Sequence, residues 1–115
     1  MHELSLIQNI FATILKIAAD NQLQRITKVT LQIGQLRQVV PEFLQFAFTA
    51  TAKDTIAAEA QLVIEHIPIT VLCQSCSQKF TVTENIYICP YCQSTKLEIL
   101  SGKEIIIASI EGMKS

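Results

Sequence analysis

The sequence predicts an α+β fold: a small three-stranded sheet with two helices packed on one face, plus an inserted four-cysteine zinc-ribbon-like module. Three observations predict it. The elements read helix, strand, helix, strand, cysteine module, strand. The module stands between two strand-like segments, and its cysteines come as two Cys-x-x-Cys pairs. A module that interrupts two strands needs its ends close in space, which makes those strands neighbours in one sheet. The expected organisation is an α+β domain at 1–68 and 100–115 with a zinc module at 69–99.

Each element has a local cause. Over residues 3–20, Leu4, Ile7, Phe11, Ile14 and Ala18 recur at spacings of three and four, the repeat of one helix face. Ser5, Gln8, Asn9, Thr13, Lys16 and Asp20 form the opposite face. Over 26–33, Lys28, Thr30 and Gln32 alternate with Val29, Leu31 and Ile33, so the spacing predicts a strand with one wet face. Gly34 ends it. Pro41 suits a first helical turn, and the following helix is expected to bury Phe43, Phe46, Ala47 and Ala50. Leu44 and Phe48 widen that face, which predicts cover on more than one side. Residues 52–60 read as a loop or frayed helical extension. A strand is expected at 61–68, ended by Pro68, and a last one at 103–111 after the Ser101-Gly102 turn.

Composition narrows the function. The 115 residues are 50% hydrophobic and 17% charged, enough to fill a core. The formal net charge of -1 argues against a surface built to hold nucleic acid or an anionic membrane. Glu3 precedes the apolar stretch from Leu4 to Ala19 and no Lys or Arg does, unlike a secretory leader. No run approaches the ~20 apolar residues that span a bilayer. A cytoplasmic protein is expected, where thiols stay reduced and four cysteines point to metal before disulfides.

Those cysteines are Cys73 and Cys76, then Cys89 and Cys92. Two residues between cysteines make a tight turn that aims both thiolates at one ion, and two such turns supply a tetrahedral sulfur set. Four thiolates leave no open position for water, so the predicted zinc is structural rather than catalytic. A module of about thirty residues is too small for a core of its own. Phe80, Val82, Ile86, Tyr87 and Ile88 are expected to pack over the metal. Two other readings of the module are weaker. A zinc-ribbon interaction module binding nucleic acid or transcription machinery would need more than Lys79, the only basic residue in 73–92. A thiol redox enzyme needs one reactive pair at a helix start. No Ser/His/Asp arrangement, phosphate loop or carboxylate pair suggests an enzyme.

The chain starts Met1-His2-Glu3. A histidine at position 2 can combine its imidazole with adjacent backbone nitrogens in a planar, nitrogen-rich set suited to Ni(II) or Cu(II). The plainer reading is a solvated terminus with Glu3 at the helix start. His66, at a strand end, reads as a polar-face histidine.

Met1-His2-Glu3, Ile33-Gly34, Pro41-Glu42, Phe46-Ala47-Phe48, the paired cysteines and the segments Gly102-Lys103-Glu104 and Ile110-Glu111 together resemble the HypA/HybF nickel metallochaperones of hydrogenase maturation. The resemblance runs through nearly the whole chain. It implies that His2 is a nickel ligand and that Glu3 beside it contributes to the site or meets a partner. It implies that Cys73, Cys76, Cys89 and Cys92 hold zinc. It further implies a HypB-type GTPase and a hydrogenase large subunit precursor as partners. A homo-oligomer, formed by pairing or swapping strands at an exposed sheet edge, is compatible with the sequence. The family commonly has glycine after each cysteine pair; Ser77 and Gln93 stand there in this chain.

Overall fold

The computed structural model describes the backbone of residues 2–114 and the side chains of residues 4–114. The elements in order are α1 (His2–Asp20), β1 (Leu23–Gly34), a short 3-10 turn (Gln35–Arg37), α2 (Pro41–Ala52), β2 (Gln61–Ile67), β3 (Thr70–Cys73), β4 (Lys79–Thr81), β5 (Leu97–Ser101) and β6 (Ile105–Lys114). The strands form two three-stranded sheets, ordered β2-β1-β6 and β4-β3-β5. The strands expected to be neighbours on either side of the module, β2 and β6, share a sheet but do not pair, because β1 lies between them and pairs with both. The chain divides into two compact units. One is Met1–Gln32, Val39–Glu65 and Ile106–Ser115; the other is Ile33–Gln38 and His66–Ile105.

The first unit is an α+β domain with two helices on one face of its sheet. Its core follows the predicted stripe of α1: Ile7, Phe11, Ile14 and Ala18 are buried. Leu4 is 48% exposed and does not join them. Val29 and Leu31 of β1 are fully buried, as the alternation required, but Thr30 of the face expected to be wet is buried too. The α1 and α2 helices meet through Phe11 and Phe48, whose rings lie edge to face with centroids 5.8 Å apart.

The buried face of α2 differs from the expected one. Leu44, Ala47, Phe48 and Ala52 turn inward, while Phe43, Phe46 and Ala50 stay outside. Positions 43, 46, 47 and 50 and positions 44, 47, 48 and 52 are both apolar sets at helical spacing. Periodicity cannot choose between two such faces. Packing against Phe11 on α1 chooses Phe48.

The second unit is built on the β3 hairpins. The β3 strand pairs antiparallel with β4, Val71 facing Phe80, and with β5, Val71 facing Ile99, with an irregularity between Thr70 and Val71. Only Ile69, Val71 and Val82 form its buried apolar cluster, with Phe80, Tyr87, Leu97 and Ile99 half-buried around it. Ile86 and Ile88 were expected over the metal and are instead about half exposed. The Gly102 turn has φ +95°, a conformation favouring glycine, and a Cβ there would lie 2.6 Å from the Pro68 carbonyl oxygen. A Cβ on Gly34 would run into the Gly102 carbonyl, so two backbones meet where neither residue can carry a side chain. Among the described residues, no helix is long and apolar enough to cross a membrane.

Candidate metal centre

The four cysteines converge. Their sulfurs all lie within 4.8 Å of one another, and the only such cluster among the described residues is this one. The Cys73 and Cys92 sulfurs are 3.5 Å apart and those of Cys76 and Cys89 3.6 Å apart. Both distances are far beyond the ~2.05 Å of a disulfide. A tetrahedral ion with metal–sulfur bonds of about 2.3 Å has sulfur–sulfur edges of about 3.8 Å, so the cluster has the size and donor set of a tetrathiolate metal site.

Local backbone geometry produces the convergence, and it is repeated. In the first knuckle, the Cys73 carbonyl accepts from the Ser77 N–H at 2.8 Å and the Cys73 N–H donates to the Gln78 carbonyl at 2.8 Å. In the second, the Cys89 carbonyl accepts from Gln93 N–H at 2.8 Å and the Cys89 N–H donates to the Ser94 carbonyl at 2.9 Å. The Tyr91 N–H also points at the Cys89 sulfur, at 3.4 Å. Each knuckle closes through a residue with positive φ, 64° at Ser77 and 65° at Gln93. These are the two positions where the resembled family commonly has glycine. Both side chains bear the left-handed conformation at a local cost and leave the sulfur geometry intact.

Sequence reading missed one link between the knuckles. The Ser75 and Ser94 hydroxyls hydrogen-bond at 2.9 Å, and Ser94 Oγ also accepts from the Lys96 N–H at 3.1 Å. The signal was the serine inside or just beyond each cysteine pair, which carries no weight until the fold brings the two turns together.

The thiols divide by environment. Burial pushes the Cys73 thiol up, yet the Cys76 and Ser75 N–H groups and the neighbouring sulfurs bring it down to about 6. The Gln78 N–H draws Cys76 down, but burial and the other three thiols push it up to about 12. Cys89 follows Cys73: burial raises it and the Cys92 and Tyr91 N–H groups bring it below its ordinary value. Cys92 follows Cys76: the Ser94 N–H lowers it, while the Cys73 sulfur and burial carry it above the ordinary value. Four like charges cannot share so small a volume without a cation, so the first thiol of each pair gives up its proton more readily than the second.

The sequence-predicted nickel residues are placed only in part. His2 and Glu3 open α1. Their side chains lie outside the described residues. His66 is exposed on β2.

Comparison with known proteins identifies the family. A family model described as hydrogenase/urease nickel incorporation, metallochaperone, hypA matches residues 1–112. A hydrogenase maturation factor HypA from a Picosynechococcus species is 40% identical over 111 residues, covering 96% of this chain and 98% of the relative. One of the same description from Desulfitobacterium hafniense is 39% identical, covering 96% and 97%. Among solved structures, a HypA protein in solution superposes with TM-score 0.75 at 26% identity, over 100% of this chain and 98% of that one. The nickel metallochaperone HypA of Helicobacter pylori superposes with TM-score 0.71 at 23% identity, over 98% of each chain, which speaks for the shared fold. Its four-cysteine cluster could hold a metal ion, and this chain belongs to the HypA family, a family of nickel metallochaperones rather than enzymes.

Proposed function

We propose that this chain carries Ni(II) at its N-terminus and delivers it for the maturation of [NiFe]-hydrogenase, while its four cysteines hold a structural zinc ion. The observation that carries this reading is the family match from residue 1 to residue 112, which includes the Met1-His2-Glu3 start. His2 is the essential nickel ligand. Glu3 supplies a further donor or meets the partner. The 1–68 and 100–115 segments serve as the nickel-binding domain and 69–99 as the zinc module. The partners are a HypB-type GTPase, which couples nucleotide state to release, and the hydrogenase large subunit precursor, which receives the metal. The protein works in the cytoplasm.

The chemistry of a carrier favours this division. Cargo must leave by ligand exchange, so its site belongs on a chain end with few and exchangeable donors. A closed set of four thiolates has no vacant position and suits an ion that stays. Nitrogen donors of an imidazole and adjacent amides favour a planar Ni(II) site over tetrahedral zinc. The near-balanced charge and the single basic residue of 73–92, Lys79, give the nucleic-acid reading no comparable support.

Nickel titration of zinc-loaded protein tests the assignment. His2→Ala should lose at least about tenfold in Ni(II) affinity, a difference of about 1.4 kcal/mol, with zinc content unchanged. Equal nickel affinity in the two proteins would overturn the role of His2. A tag fused before Met1 should also disturb nickel binding if the terminal amine takes part.

A further inference from the structure

The α2 helix is apolar on two sides, and the fold uses one. Leu44, Ala47, Phe48 and Ala52 are buried. On the outside, Val40, Phe43, Phe46 and Ala50 follow at spacings of three, three and four, which lines them along one side of the helix. Phe43 is 63% exposed, Phe46 74% and Val40 43%. With Glu42 they line an open groove of about 600 Å³, in which that carboxylate is the only charged group. Two neighbouring phenylalanine rings left in water form a surface patch of the kind that marks an interaction site.

Size and charge decide what covers it. Rings of about 200 Å², roughly two-thirds exposed, offer on the order of 300 Å² of apolar surface. A stable complex buries about 800 Å² on each partner, so a second copy docked here gains too little to persist. A second copy would also bring two Glu42 carboxylates to the same apolar contact, where like charges repel. A transient partner that lays one apolar ridge along the helix and supplies a cation fits both constraints.

We propose that the Val40-Phe43-Phe46-Ala50 face docks a short amphipathic helix of a transient protein partner, with aliphatic side chains one turn apart and a Lys or Arg that meets Glu42. The docking does not depend on nickel, so it stands or falls apart from the nickel reading.

Fluorescence anisotropy with labelled synthetic helices tests it. The probe is a peptide of about 16 residues with leucines at i, i+3, i+4 and i+7 and lysines on the flanks; its control carries glutamates there. Zinc-loaded wild-type chain should bind the lysine peptide at least about tenfold more tightly than the glutamate peptide. Phe43→Ser with Phe46→Ser should weaken the lysine peptide by at least about tenfold while circular dichroism and zinc content stay unchanged, because both rings are solvent-facing. Glu42→Lys should reverse the preference between peptides, a result that a folding defect cannot mimic. Equal binding of both peptides, equal binding to wild type and double variant, or no binding would overturn the proposal. A concentration-dependent dimer in sedimentation, lost in the double variant, would overturn it in favour of a second copy.

Discussion

The two units of the chain are held by different physics. The first buries Ile7, Phe11, Ile14, Ile26, Val29, Leu31, Leu44, Phe48 and Leu62 among others, an apolar core that gains stability from area removed from water. The second buries Ile33, Ile69, Val71 and Val82, and its fully enclosed side chains also include two thiols, Cys73 and Cys89. One unit is stabilised by packing. The other lacks the core to fold by packing and concentrates charge that needs a cation.

Removing the metal should give the largest effect and break the comparison open. Structural zinc contributes an apparent ~10–16 kcal/mol in small zinc modules. A strong chelator, or Cys76→Ser, should therefore collapse the dispersed amide NMR signals of 69–101 and leave those of α1 and α2 in place. Collapse of both units together would show that their stabilities are not separate.

Acid comes next. At neutral pH the Cys76 and Cys92 thiols hold protons, so metal uptake expels at least two, and affinity falls at least about 100-fold for each unit that pH falls. The fall steepens below about 6, where Cys73 takes up its own proton. Competition titrations across this range measure the slope, and a flat profile would contradict the division of the thiols. The first unit should show no comparable dependence.

Phe48→Ala sharpens the comparison from the other side. It removes the edge-to-face partner of Phe11 and leaves a cavity, at a cost of about 3–5 kcal/mol. Urea unfolding of the helical signal should register the loss, with zinc affinity within a factor of about two. The smallest effect is a gain. Ser77→Gly and Gln93→Gly each relieve a left-handed side-chain residue and should add up to about 1 kcal/mol to the zinc-loaded second unit. Alanine at either position should give no gain, which thermal melts of the two series would show.

The same contrast governs what the sequence revealed. The cysteine site was legible because tetrahedral coordination fixes residue type and spacing together, and no packing choice intervenes. The inward stripe of α1 was legible because its other face is polar. The α2 helix misled because both its faces are apolar, and only Phe11 on another element selects Phe48 over Phe46. The short β3, β4 and β5 strands were missed, since four, three and five residues carry little periodicity and their pairing is settled only among themselves. The serine link between knuckles was invisible for a related reason: hydroxyls nineteen positions apart, Ser75 and Ser94, meet only after folding.

The four ligands are not equally sheltered. Cys73 and Cys89 are buried, Cys76 is partly covered and Cys92 is exposed. A tetrahedron with one corner in solvent sets the kinetics of its ion as well as the equilibrium. Were a metal held by the four thiolates, Cys92 would be the ligand most open to a competing thiol or chelator, and the buried Cys73 of the first knuckle would be shielded from it. Exchange should then be first order in the competitor and begin at one named sulfur. Under the proposed division of metals, cargo and resident ion would be separated by lifetime, and for the resident ion that lifetime would be set at Cys92.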